Sequence, residues 1–237
     1  MDATSRFSQI AKEADIKFTP LDFWVIASNR SPRFVAAIQM SHHCFIHYNV
    51  DDDHTSRISL ESFHDALLDG GASSSMTIHL LQNINQNQMM LRFESSSHVP
   101  QVRHELTLTP SQEEDLGEVD YAKCFSIDSR ELRRVITELP IFHEDSICVT
   151  ATSSQVKFSI ASEAIILTKE GGECSIVGYK EEDETEIRIN LNPMLFFLNF
   201  THDAISLWFY KTTTSHGAMT VPAYGLYAQY VILFPNN

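Results

Sequence analysis

The densest set of groups able to do chemistry is the segment SHHCFIHYNVDDDH, residues 41–54. It holds His42, His43, Cys44, His47, Asp51, Asp52, Asp53 and His54. Imidazole, thiolate and carboxylate are the ligand types of transition-metal sites, and together they would suit a metal-dependent hydrolase. Read as a strand, the segment puts His43 and His47 on one face, within reach of one ion, while His42 points the other way. No tight ligand spacing such as CxxC or HExxH is present. The competing reading is a polar outer strand leading into an acidic turn. Ser215 and His216 stand in a Thr/Ser-rich stretch that reads as a loop. Neither a phosphate-cradling glycine loop nor a GxSxG elbow occurs; the expectation is a non-enzyme with no cofactor and no metal.

A second constellation is built on a helix. In EVDYAKCFSIDSRELRRVITEL, residues 118–139, a strand runs into a helix over 128–139. At about 100° per residue, Leu132, Val135, Ile136 and Leu139 share one face. Arg130, Arg133, Arg134 and Thr137 occupy the opposite face, with Glu131 and Glu138 at the flank. A chain of net charge -14 that gathers arginines on one exposed helix face either presents a solvated surface or binds a polyanion. The acidic balance excludes whole-surface attraction to nucleic acid or to an anionic membrane, so any such contact must be a local patch.

The elements that would position these residues fall into two halves of similar grammar. The first opens with a helical pattern in which Phe7, Ile10, Ala11 and Ala14 share a face. Strands are expected at DIKF, DFWVIAS, RFVAAIQM and CFIHYNV, then a helix capped by Ser59 and stopped by Gly70 and Gly71, with Phe63, Ala66 and Leu67 inward. Further strands are expected at SMTIHLLQ, QMMLRFES and VRHELTL. The polar, turn-rich TPSQEEDLGEV, residues 109–119, reads as a linker. The second half runs YAKCFSI, the arginine helix with an Asp128/Glu131 capping box, then SICVTAT, QVKFSIAS, EAIILTKE and EIRINL. A helix NPMLFFLNFT with Pro193 as its first residue follows, then AISLWFY, AMTVPAYG and LYAQYVILF. The acidic run 181–186 reads as a solvated loop. The expected fold is α+β, with two similar domains, 1–108 and 120–237, joined by a connecting loop at 109–119.

Four cysteines, 44, 124, 148 and 174, are widely spaced, and Cys124 and Cys148 sit in apolar strand-like runs, which suits reduced, buried thiols in an intracellular protein. No segment approaches a membrane span, and the N-terminus lacks an apolar signal core.

Several segments resemble the eukaryotic sliding clamp family of proliferating cell nuclear antigen (PCNA). They are DYAKCFSIDSRELRRVITEL, SQVKFSIAS at 154–162, NPMLFFLNFT at 192–201, the terminal YVILFP at 230–235 and VAAIQM at 35–40. The order of elements is similar over nearly the whole chain, most specifically from about residue 118 onward. The resemblance implies the DNA clamp fold, each domain carrying two helices backed by antiparallel sheets. It implies a nuclear processivity factor whose three subunits close into a ring around double-stranded DNA. The expected partners are DNA polymerases, other clamp-binding peptides and a clamp loader, with no membrane.

By the same resemblance, DNA phosphates would meet Lys12, Arg130, Arg133 and Arg134, with His64 and His202 contributing when protonated. A partner peptide would enter a pocket of Val35, Ala37, Leu116, Phe234 and Pro235. Subunits would join through Val102, His104 and Leu106 on one strand and Ile165, Ile166 and Leu167 on another. The chain departs from the family pattern in several ways. It begins inside the family's first helix, Glu61, Asp65 and Asp69 stand where lining helices carry lysines, and Phe234 replaces a usual alanine. These departures imply weak direct DNA contact and a reshaped pocket. Alternative expectations with the same fold are a checkpoint-clamp subunit or a degenerate clamp paralogue acting as an adaptor.

Overall fold

Alternating apolar and polar side chains take much of this chain into paired strands, and helices form only where the apolar spacing changes to three and four. A computed structural model describes residues 3–31, 33–71, 73–83, 86–94, 102–112, 119–141, 145–212, 217–223 and 225–234. Among them the protein is α+β, with four α-helices and mostly antiparallel sheets. In chain order the first elements are α1 (Ala3–Phe7), β1 (Glu13–Phe18), β2 (Asp22–Arg30), β3 (Arg33–Ser41), β4 (His54–Ser59) and α2 (Leu60–Asp69). Then come β5 (Ser75–Asn83), β6 (Gln86–Glu94), β7 (Val102–Thr107), β8 (Val119–Asp128) and α3 (Ser129–Glu138). Next are β9 (Ile147–Ala151), β10 (Gln155–Ile160), β11 (Glu163–Thr168), β12 (Cys174–Val177) and β13 (Thr185–Ile189). The chain closes with α4 (Met194–Asp203), β14 (Ser206–Thr212), β15 (Gly217–Pro222) and β16 (Ala228–Phe234).

Packing divides the chain into two units, Met1–Ala27 with Asn49–Glu113 and Ser28–Tyr48 with Glu114–Asn237. The linear boundaries drawn on the sequence do not follow this division. Residues 28–48 belong with the second unit because β3 lies along β16, with Val35 opposite Leu233 and Ala37 opposite Val231.

In the first unit β1 pairs with β2 on one side and β4 on the other. β5, β6 and β7 form a three-stranded sheet with β7 at an edge. α2 starts where β4 ends: the Ser59 hydroxyl accepts the Ser62 N–H, which satisfies one orphan donor of the first turn. Phe63 and Ala66 are buried, Leu67 is half-buried, and α1 packs beside this helix.

In the second unit one sheet runs β12-β8-β14-β15-β16-β3, and a four-stranded sheet runs β11-β10-β9-β13 with β11 at an edge. α3 and α4 pack on each other. α4 is pinned by aromatic rings: Phe34 lies 5.5 Å from Phe196 and 5.4 Å from Phe197, and Phe200 lies 4.9 Å from Tyr230. Such ring pairs each add about 0.5–1.5 kcal/mol beyond burial.

The secondary structure differs from the sequence-based expectations at four places among the described residues. CFIHYNV is not a strand. A 3-10 turn at His42–Cys44 starts where the ladder with β16 runs out at the Met40–Ala228 pair, and Ile46 is fully exposed. The first helix ends at Phe7, because Ile10 N–H turns back to the Phe7 carbonyl and Ala14 is taken into β1 opposite Ile58. Pro193 is the cap of α4, not its first residue, and follows a cis peptide bond after Asn192. β12 was not expected; it pairs with β8 from Cys174–Ile127 to Val177–Cys124.

Candidate functional site

β8 delivers α3 through its last residue. The Asp128 carboxylate accepts the Arg130 N–H at 2.8 Å, and Leu132, Val135 and Ile136 turn inward and are buried. This leaves the arginines outward, and each finds a different setting. Arg130 folds back on the cap, Nε–Oδ1 3.0 Å and Nη2–Oδ2 3.2 Å, which holds the Asp128 carboxyl below the usual carboxylate range. Glu131 reaches Arg134, not the cap N–H that a capping box would require.

Arg134 is surrounded by acid. Its guanidinium lies 2.8 Å from Glu131, 3.9 Å from Glu138 and 3.6 Å from Glu173. Glu173 is itself fixed, its Oε2 accepting from the Thr168 N–H at 2.9 Å and the Thr168 hydroxyl at 3.1 Å, which lowers its proton affinity. Three carboxylates around one cation leave no net positive charge to offer a phosphate.

Arg133 has no carboxylate partner among the described residues. It crosses to α4, where Nε and Nη2 donate to the Thr201 hydroxyl at 3.3 Å and 3.1 Å. The same Nη2 lies 3.2 Å and 3.3 Å from the two ring nitrogens of His202. Thr201 is buried and gives its own proton to the Leu198 carbonyl at 2.7 Å, so its lone pairs are committed to the arginine. Thr201 and Glu173 were absent from the sequence reading, since neither shares an element with α3 and only packing brings them to it.

In the first unit Lys12 is exposed in the turn before β1, and its carbonyl accepts the Leu60 N–H at the start of α2. His64 is half-buried and bonded through Nδ1 to the Thr4 hydroxyl at 2.9 Å, tying α2 to α1. Glu61, Asp65 and Asp69 are exposed on α2.

The three described residues of the expected peptide pocket do not share a face. Val35 and Ala37 are cross-strand partners of Leu233 and Val231, while Phe234 points to the other side of β16 and stacks on Phe197 of α4 at 6.1 Å. All three are buried. Leu116 and Pro235 lie outside the described residues.

Val102, His104 and Leu106 lie on β7, and Ile165, Ile166 and Leu167 on β11, each strand with a ladder neighbour on one side in its sheet. Leu106, Ile165 and Leu167 are buried, whereas Ile166 is 46% exposed, an apolar side chain left on an edge. His104 Nε2 lies 3.5 Å from Asp69 of α2.

The segment 41–54 does not gather its ligand types. The His42 and His43 rings lie 3.9 Å apart, His43 packs 5.3 Å from Tyr227, and Cys44 donates to the Tyr227 carbonyl. His47 is exposed in a bend and His54 bonds Ser56 in β4 at 2.8 Å. Without a strand there, His43 and His47 have no common face. No group of three or more His, Cys, Asp or Glu able to hold a metal ion is found among the described residues. None of the four cysteines is in a disulfide: Cys124 and Cys174 are buried, with thiols pushed up by desolvation, Cys148 is half-buried and Cys44 exposed. No described helix is long and apolar enough to cross a membrane.

No protein-family model matches the chain, and no curated protein matches it.

Proposed function

We propose that the chain is a subunit of a DNA sliding clamp resembling PCNA, a non-catalytic ring component that encloses duplex DNA and tethers other proteins to it. The observation that carries this reading is the matched make-up of the two units. Each has a helix pair, α1 with α2 and α3 with α4, and each has a strand at a sheet edge, β7 and β11, open to pairing with another chain. Head-to-tail pairing of β7 with β11 of the next subunit is a heterologous contact that closes into a ring when the rotation allows it. Light scattering on the purified chain tests this directly. A particle of three times the subunit mass that dissociates when Ile166 is changed to Lys supports the ring, and a concentration-independent monomer overturns it.

A second reading, an adaptor clamp with little hold on DNA, draws on the charge pattern of the arginine face. Two of its three arginines are occupied by carboxylates, and α2 exposes three acids. Polymerase processivity separates the readings: the replication clamp lengthens products once loaded, and the adaptor does not.

A further inference from the structure

We propose that Arg133 and His202 form a proton-linked phosphate site, so that nucleic acid binding at this face takes up a proton and strengthens as pH falls. The inference rests on the clamp reading and adds a regulation to it. Nη2 of Arg133 is nearly equidistant from Nδ1 and Nε2 of His202, at 3.2 Å and 3.3 Å. A nitrogen so placed cannot lie in the ring plane without colliding with Cε1, so the guanidinium sits over the imidazole face. A cation over a neutral ring is favourable, and over an imidazolium it is repelled.

A phosphodiester reverses that preference. Arg133 is fixed by Thr201 through Nε and Nη2, while its Nη1 makes no hydrogen bond among the described residues and is open to an anion. His202 is exposed beside it. A phosphate seated against both carries one negative charge; a neutral imidazole offers it one N–H, and protonating the ring makes that donor charged and the bond stronger. From α3 the charged group facing His202 is Arg133, with Arg130 and Arg134 to either side held by Asp128, Glu131 and Glu138. On α4 the preceding turn offers Leu198 and Asn199, and the next residue in sequence is Asp203. Imidazoles titrate between about pH 5 and 8, so the window is physiological.

The test is the affinity of the full-length protein for a fluorescein-labelled blunt duplex, by anisotropy at fixed low salt, from about pH 6 to pH 8. The wild type should bind about five- to tenfold tighter at the acid end, an ordinary size for coupling between two binding events. His202→Gln should be flat at the weaker level, His202→Lys flat at the tighter level, and Arg133→Gln weak throughout. The His202 ring resonances followed by NMR should titrate at higher pH when duplex is present. A pH dependence surviving in His202→Gln, or a wild type whose binding ignores pH, overturns the proposal. A pH-independent wild type that still forms trimers removes only this inference and leaves the clamp reading in place.

Discussion

Asp15 and Arg57 face each other across the β1–β4 ladder in a two-point ion pair, Nε–Oδ1 2.8 Å and Nη2–Oδ2 2.9 Å, with Asp15 only 2% exposed. The Arg57 backbone also exchanges both hydrogen bonds with Thr109. The pair thus stands where β4 meets the end of the chain leaving β7. Breaking it on one side strands a buried charge, which costs about 3–5 kcal/mol, whereas replacing both partners with apolar groups is often neutral. Asp15→Ala should therefore lower the urea midpoint strongly, and Asp15→Leu with Arg57→Met should restore most of it. Equal losses for the single and double variants would show that the pair is not an energetic unit.

The sequence made this pair hard to see because its partners come from strands separated by β2 and β3, and alternation alone does not give register. The same limit applies to Glu173 and Arg134. Helices α2, α3 and α4 are legible because their apolar spacing is a local signal, as are the Ser59 cap of α2 and the Asp128 cap of α3. CFIHYNV was misread because its composition suits a strand, while strand formation needs a partner and β16 stops at Ala228. β12 is four residues long, too short for alternation to register against its glycine-rich flank.

Stability at low pH should depend on three carboxylates. Asp128 is held low by the Arg130 side chain and backbone, Asp183 by the Lys180 N–H and by Lys123, and Glu173 by Thr168. A carboxylate whose folded proton affinity is lowered contributes stability that is complete above its unfolded value and lost as pH falls through the folded one. The loss therefore falls at and below the ordinary carboxylate range of about pH 4. Asp128→Asn keeps a good cap but has no proton to lose. Its stability difference from wild type should hold from neutrality down to about pH 5 and shrink below that, as the Asp128 carboxylate takes up its proton. A difference unchanged down to the acid limb would contradict the assignment.

Phe234 and Ala37 give opposite tests of the terminal strand. Phe234→Ala opens a cavity against Phe197 and should cost about 3–5 kcal/mol. Ala37→Leu adds volume at a position 1% exposed and should cost about 1–3 kcal/mol by overpacking. Calorimetry on both variants decides whether these side chains are core or an open peptide pocket. Near-wild-type melting of both would favour the pocket.

Gly178 is required at the end of β12. Its φ is +82°, and an added Cβ would fall 1.9 Å from the Ala122 carbonyl oxygen, a backbone atom that cannot swing aside. Gly178→Ala should destabilise by more than the roughly 1–3 kcal/mol of a strained φ alone. Amide exchange should show the loss first along the β12–β8 ladder, from Cys174 to Val177. Protection there equal to wild type would sink the claim.

The arginine face makes its sharpest prediction through salt. Each phosphate contact contributes about 0.9 to the slope of log affinity against log salt on duplex DNA. On the clamp reading Arg133, which no carboxylate holds among the described residues, carries such a contact, and Arg134, ringed by Glu131, Glu138 and Glu173, does not. Arg133→Gln should reduce the slope by about one, while Arg134→Gln should leave it unchanged. The two substitutions remove the same formal charge from adjacent positions, so a difference between them can come only from their surroundings. Identical slopes for both would mean that the carboxylates around Arg134 do not neutralise it.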